Sequence, residues 1–176
     1  MQVGQRLDQA QYAVDLRGRY REPFSNWEAA TDAPHSRLRG DIELLPAIAE
    51  AGLARAAKDI SQGGIVGTAA MLAECSRVAI DIDLAAVPKP DGVTLERWLL
   101  TFPSFGYLIS VQPCHVAEVV ARFRARGIAA TDIGAVAQGN RLTIGNSIAS
   151  ETIWDFAQKP LIGAAPPSPI TVEAVA

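Results

Sequence analysis

Asp59, Ser61, Gln62, Gly63 and Gly64 stand in one short stretch of this 176-residue chain, and their types suit one kind of chemistry. Ser61 is a good helix N-cap, and two adjacent glycines leave the first backbone N–H groups of a following helix uncovered. Those groups lack intrahelical partners and sit at a dipole end worth roughly half a positive charge. A phosphate or carboxylate can be held there without a basic side chain. Asp59, at the end of a preceding strand, is placed to hold a hydroxyl, a metal-bound water or the loop itself. The same residues also fit a purely structural turn, because Gly63-x-x-x-Gly67 is the small-residue spacing that close helix packing uses. From the residues alone both readings stand.

Other groupings carry less. Cys114 and His115 are adjacent, and neighbouring helix positions do not face each other, so they make a poor catalytic pair. Asp81 and Asp83 alternate on one strand face, a pattern that can bind a divalent cation but more often marks a solvated surface. Arg17, Arg19, Arg21, Arg37 and Arg39 read as a basic linker sooner than as an anion cluster. The two histidines lie far apart without clustered carboxylates, so no metal-ligand spacing is present. No Walker-type loop, GxSxG or CxxC occurs.

The elements that would position the 59–64 stretch can be read from periodicity. A strand is expected over residues 10–16, followed by a polar connection through Pro34. Ser36 opens a helix with Leu38, Ile42, Leu45 and Ala49 at helical spacing, interrupted at Pro46 and stopped at Gly52. Residues 54–60 read as strand and 63–75 as a helix apolar nearly all round, which must be buried. A half-buried strand follows over 78–87. Thr94 caps a short helix, and residues 106–111 form the next strand. Residues 115–126 make an amphipathic helix with Val116, Val119, Val120 and Phe123 on one face and Gly127 beyond its end. Residues 128–136 and 141–144 are expected to close as a hairpin about Gln138-Gly139-Asn140. A last helix is expected over 151–158, and then a flexible tail rich in proline and alanine. The sum is an α/β (α+β) three-layer sandwich with a mixed sheet, partly ferredoxin-like in its second half.

Composition bounds the function. Hydrophobic residues at 49% and charged residues at 20% describe a globular domain with a real core. A net charge of −3 argues against a nucleic-acid surface. The longest apolar run is too short and too rich in glycine and alanine to span a bilayer. Cys75 and Cys114, without a secretory leader, point to reduced thiols in a cytoplasm.

The stretch Lys58-Asp59-Ile60-Ser61-Gln62-Gly63-Gly64-Ile65 resembles the aspartate–x–serine/threonine–x–glycine–glycine signature of the C-terminal domain of the aminoimidazole ribonucleotide (AIR) synthetase superfamily. The likeness continues through Thr101-Phe102-Pro103-Ser104-Phe105-Gly106-Tyr107 and Gly127-Ile128-Ala129-Ala130-Thr131-Asp132-Ile133-Gly134. With Gly18-Arg19-Tyr20-Arg21 it looks most similar to the AIR-synthase-related proteins of uncharacterised activity. Gln62 and Pro103 depart from AIR synthetase itself and point away from AIR synthesis as the specific reaction.

The resemblance implies an ATP-dependent enzyme that transfers a phosphoryl group or activates an oxygen by phosphorylation. It implies an N-terminal domain holding ATP and Mg2+, with the C-terminal domain closing over a shared cleft. On this reading residues 1–34 are strand and linker from that first domain, 35–158 the C-terminal domain and 159–176 the tail. Asp59, Ser61, Gln62, Gly63 and Gly64 then face a small phosphorylated or anionic metabolite. The chain by itself is expected to be inactive, to bind no ATP or Mg2+, and to form a homodimer through the surface that the first domain would cover. The competing function is a non-catalytic module that binds a small metabolite or mediates assembly.

Overall fold

The computed structural model describes residues 2–5, 35–101 and 106–163. The strand expected over residues 10–16 lies outside them, as do Arg17, Arg19 and Arg21. The first strand described is β1 (Gln2–Gln5), a segment too short and polar to announce itself in the sequence. It ladders into this domain's own sheet, with Val3 opposite both Leu108 and Thr131.

Two short helices follow, α1 (His35–Ile42) and α2 (Leu44–Glu50). The break falls at Glu43 because Pro46 is the third residue of α2, where a helix needs no N–H. Gly52, at φ +68°, stops α2. Its N–H donates to the Ala49 carbonyl and that of Leu53 to Ile48, while the Ile48 and Leu53 side chains are buried. Beyond lie β2 (Ala54–Asp59), α3 (Gly64–Ser76) and β3 (Val78–Asp83). The expected 78–87 strand ends early because the Asp83 carboxylate accepts the Ala85 N–H at 2.9 Å and turns the chain into one 3-10 turn. Then come α4 (Leu95–Leu99), capped by Thr94, β4 (Tyr107–Val111), and α5 (Val116–Arg124), which ends at Gly127 by the same device as α2.

The expected 128–136 strand and its hairpin are corrected by the structure. The chain divides at Ile133 into β5 (Ala129–Asp132) and β6 (Gly134–Gln138), which join different sheets. A Cβ on Gly134 would stand 1.9 Å from the Asp81 carbonyl, so only glycine lets β6 come down onto β3 here. β6 does not pair with β7 (Arg141–Gly145). β3 lies between them, antiparallel to β6 and parallel to β7, and Gly139 passes close over Ala79 at the start of β3. The helix expected over 151–158 is instead β8 (Ser150–Asp155), antiparallel to β7. Thr152, Ile153 and Trp154 favour strand, and the Asn146 side chain accepts from the Ile148 and Ala149 N–H groups to make the turn.

The result is an antiparallel sheet ordered β2-β4-β1-β5 and a mixed sheet ordered β6-β3-β7-β8, the α/β class with a mixed sheet that the sequence implies. On one face of the antiparallel sheet, Ile48 of α2 and Val119 and Phe123 of α5 pack with Ile109 and Ala130. On the other, Leu108 joins Ile65, Ala69 and Ala73 of α3, and this core runs on to Ile80, Ile82 and Leu142 of the mixed sheet. α3 touches β2 and β4 of one sheet and β3 and β7 of the other, which explains its apolar character on more than one side.

Residues 161–163, at the start of the expected tail, are held against α3. The Glu74 carboxylate, in a residue only 4% exposed, accepts the N–H groups of Leu161, Ile162 and Gly163 at 2.8, 2.9 and 3.2 Å. Burial pushes its pKa up, but the N–H donations from Ile162, Leu161 and Gly163 outweigh it and hold the carboxyl below its usual value.

Candidate functional site

The 59–64 stretch is the connection from β2 to α3, as expected, but its internal bonding differs. Ser61 is not the cap of α3. Gly63 takes that position and no side chain caps the helix. The Ser61 carbonyl accepts the Gly64 N–H at 2.8 Å, its N–H donates to the Thr68 hydroxyl at 3.2 Å, and its own hydroxyl accepts from Lys58 Nζ at 3.4 Å. The turn thus folds back on the first turns of α3 and leaves the hydroxyl on the lysine side.

The two glycines do different work. Gly63 is exposed, and a Cβ there would meet Gly67 Cα at 2.9 Å. Gly64 is buried at φ +63°, and its missing Cβ would stand 2.1 Å from the Leu99 carbonyl. Gly64 therefore seats α3 against the end of α4, the packing role that glycines at such turns can have. No carbonyl among the described residues accepts from the Ile65 or Val66 N–H.

Asp59 and Gln62 are exposed at the rim. Lys58 Nζ donates to Asp59 Oδ1 at 3.1 Å, an ion pair beside the turn. Tyr107 and Lys58 belong to this neighbourhood and do not stand out in the sequence as site residues. Tyr107 lies directly across from Asp59 in the β2–β4 ladder, a relation that only strand pairing creates. Burial first, then the carboxylates of Asp59 and Asp41, push its phenol above the ordinary value. Leu100, 70% exposed, stands beside Gly64 and adds an apolar surface. The segment that resembles the family's second motif, Thr101 to Tyr107, is tied to the same place: Leu99 and Leu100 just before it touch Gly64, and its Gly106 carbonyl accepts the Ile60 N–H at 2.8 Å. Residues 102–105 between them lie outside the described residues.

The remaining candidates have local uses. Asp81 accepts the Thr143 hydroxyl and Asp83 caps the turn after β3. Among the described residues no three His, Cys, Asp or Glu side chains gather as a metal site. Cys75 and Cys114 are exposed thiols, and Cys114 neighbours Gln112. Arg37 clasps the end of α5, donating to the Arg126 carbonyl at 3.0 Å, while Arg126 Nε pairs with Asp41 at 2.7 Å. Gly40 makes room for the Arg126 guanidinium, which a Cβ would meet at 2.4 Å. No helix among the described residues is long and apolar enough to cross a membrane.

The chain is similar in sequence and fold to known proteins. The family model for the AIR synthase related protein, C-terminal domain, matches residues 26–145. An uncharacterised protein of Synechocystis sp. is 44% identical over 137 residues, covering 78% of this chain and 42% of that protein. One from Methanocaldococcus jannaschii is 31% identical over 157 residues, covering 89% and 48%. The chain thus spans less than half the length of these relatives. Phosphoribosylformylglycinamidine synthase II of Thermotoga maritima superposes with a TM-score of 0.64 at 16% identity, over 99% of this chain and 27% of that one. The structure of the HypE–HypF complex gives 0.61 at 14% identity, over 88% and 52%. These two share the fold. With the family model covering well over half of its residues, the chain belongs to the AIR-synthase-related family, whose C-terminal domain it contains.

Proposed function

We propose that this chain is the substrate-side C-terminal part of an ATP-dependent, AIR-synthase-related enzyme, and that the turn formed by Asp59, Ser61, Gln62, Gly63 and Gly64 receives the anionic group of its substrate. The observation that carries this reading is the start of α3. Its Ile65 and Val66 N–H groups have no carbonyl partner among the described residues, Gly63 is exposed, and the Lys58 ammonium, ion-paired with Asp59, reaches the Ser61 hydroxyl. Ser61 presents its hydroxyl beside that charge, and Asp59 stands at the rim to accept from a substrate hydroxyl. Thermotoga maritima PurL has been solved with FGAR and with ATP, and HypE with ATP, which supports a nucleotide-driven reaction in this family. ATP and Mg2+ are assigned to an N-terminal domain beyond this chain, so the chain alone does not turn over. The reaction is phosphoryl transfer or a ligation activated by phosphate.

Two measurements test this. Inorganic phosphate should shift the amide resonances of Gly63, Gly64 and Ile65 and raise the thermal midpoint of the chain; no shift and no stabilisation refutes the site. The natural full-length product should release phosphate from ATP with one member of a panel of phosphorylated metabolites. Phosphate binding at the turn without ATP turnover by that product would favour a non-catalytic metabolite-binding module.

A further inference from the structure

Among the described residues β2 is the outermost strand of the antiparallel sheet, paired on one side with β4 and on the other with none. The Ile60 N–H donates to the Gly106 carbonyl across the β4 side. In an antiparallel strand the N–H and C=O of one residue point the same way, and successive residues alternate. Ile60 and Lys58 therefore face β4 with their backbone groups, and Asp59 and Ala57 turn theirs to the open edge. Such a row of groups fits an extended backbone. The register shift between Ala54 and Ala56 interrupts the regular edge at Arg55, which confines pairing to a few residues.

Beside this edge lies an apolar groove of about 330 Å³, between Leu45, Pro46, Ile48 and Ala49 of α2 and residues 54–57 of β2. No residue of β4 lines it, so it sits toward the outer side of β2, where an added strand would pass. Ala57 stands opposite Ile109, which packs with Ile48 of α2, so Ala57 projects on the α2 face of the sheet. Residues paired across neighbouring strands send their side chains to the same face. A residue paired with Ala57 from outside therefore sends its side chain over the groove. Pro46, Ala49 and Ala57 are exposed and leave the way open. Arg55 lines the same groove, is exposed, and makes no hydrogen bond or ion pair among the described residues. Its guanidinium suits a carboxylate at the groove's mouth. A second copy of β2, Ala-Arg-Ala-Ala-Lys-Asp, has no aliphatic side chain larger than alanine with which to fill the groove. The complement is a different extended segment, aliphatic at the position facing the groove and acidic close by.

We infer that this edge and groove are a docking site for an extended segment of another protein. The segment adds as a strand beside β2, sets an aliphatic side chain in the groove and carries a carboxylate that meets Arg55. The strand site is independent of the anion site, since Ala49 and Ala57 belong neither to its turn nor to α3. The probe is a labelled peptide, acetyl-Thr-Glu-Thr-Leu-Thr-Glu-Thr-amide, which presents the same pattern in either strand direction. Added to the full chain, it should raise fluorescence anisotropy and protect the Ala57 and Asp59 amides from hydrogen exchange. The Lys58 amide, already given to β4, should not change. Serine in place of the peptide's leucine should weaken binding about tenfold. Arg55→Glu should weaken it about as much. Ala49→Phe fills the groove from an exposed helix position and should abolish binding. Ala57→Pro removes an N–H that β4 does not use and should do the same, with circular dichroism confirming an intact fold in both variants. Absence of binding up to millimolar peptide overturns the inference. So does binding that Ala49→Phe and Ala57→Pro leave intact, or binding without protection of Ala57 and Asp59. Self-association of the chain that closes the β2 edge to the peptide would likewise overturn it.

Discussion

Gly64 and Gly67 lie three residues apart in one helix and are held by opposite constraints. Gly64 stands at φ +63° with the Leu99 carbonyl 2.1 Å from where a Cβ would be, so Gly64→Ala should cost about 2 kcal/mol or more in chemical denaturation. Gly67 has nothing within 4 Å of its missing Cβ and sits inside α3. Gly67→Ala should stabilise by about 0.5–1 kcal/mol, since a helical glycine chiefly burdens folding through the unfolded chain. Reversal of that order would mean that the glycine pair does not seat α3 as described. Tyr107 offers a second test at this scale. Its phenol is raised above 10.0 by burial first and by Asp59 and Asp41 second. A phenol raised in the folded state contributes stability that is fully present below its unfolded pKa and lost as pH rises through the folded one. Phenolate absorbance should therefore appear late in an alkaline titration. Asp59→Asn should bring it earlier, though not back to the ordinary value, because burial is the larger cause.

At the scale of elements, Glu74 joins α3 to the chain beyond β8 through three consecutive backbone N–H groups. Its carboxyl is held below 4.5 because these donations outweigh the effect of burial. The stability it contributes is present above the unfolded pKa and is lost as pH falls through the folded one. Hydrogen exchange should find the Leu161, Ile162 and Gly163 amides protected at neutral pH and released only as pH falls through the lowered folded pKa of Glu74, below the ordinary carboxylate value. Glu74→Gln, with one acceptor oxygen and no charge, should release them at neutral pH too; unchanged protection in that variant would remove Glu74 as the anchor. Helix ends were legible in the sequence at this scale. Gly52 and Gly127 each follow a periodic run, and both close their helices through bonds that span only a few residues. Strand partners were not. Residues 134–138 and 141–145 are separated by a two-residue link that reads as a hairpin, yet β3, from far earlier in the chain, takes the place between them.

For the whole molecule, the antiparallel sheet divides the interior into two cores, with Leu108 in one and its neighbour Ile109 in the other. Both side chains are fully buried. Leu108→Ala and Ile109→Ala should each cost about 2–5 kcal/mol, and each should shift one cooperative transition instead of splitting it, because β4 carries both cores. Two transitions in calorimetry would show that the cores melt apart. Amino-acid order alone determined what short-range physics can encode: the buried character of α3, the apolar face of α5, the glycine stops, and the glycine-bearing turn after β2 that carries the family signature. Tertiary structure decided the rest. It set Tyr107 opposite Asp59, pressed Gly64 onto Leu99, moved the cap of α3 from Ser61 to Gly63, and drew residues 161–163 to Glu74. Helical periods, caps and turns act over a few residues and leave a trace in local order. Sheet order and the neighbours of a site come from contacts between distant segments, whose energies depend on which surfaces meet and leave no local trace.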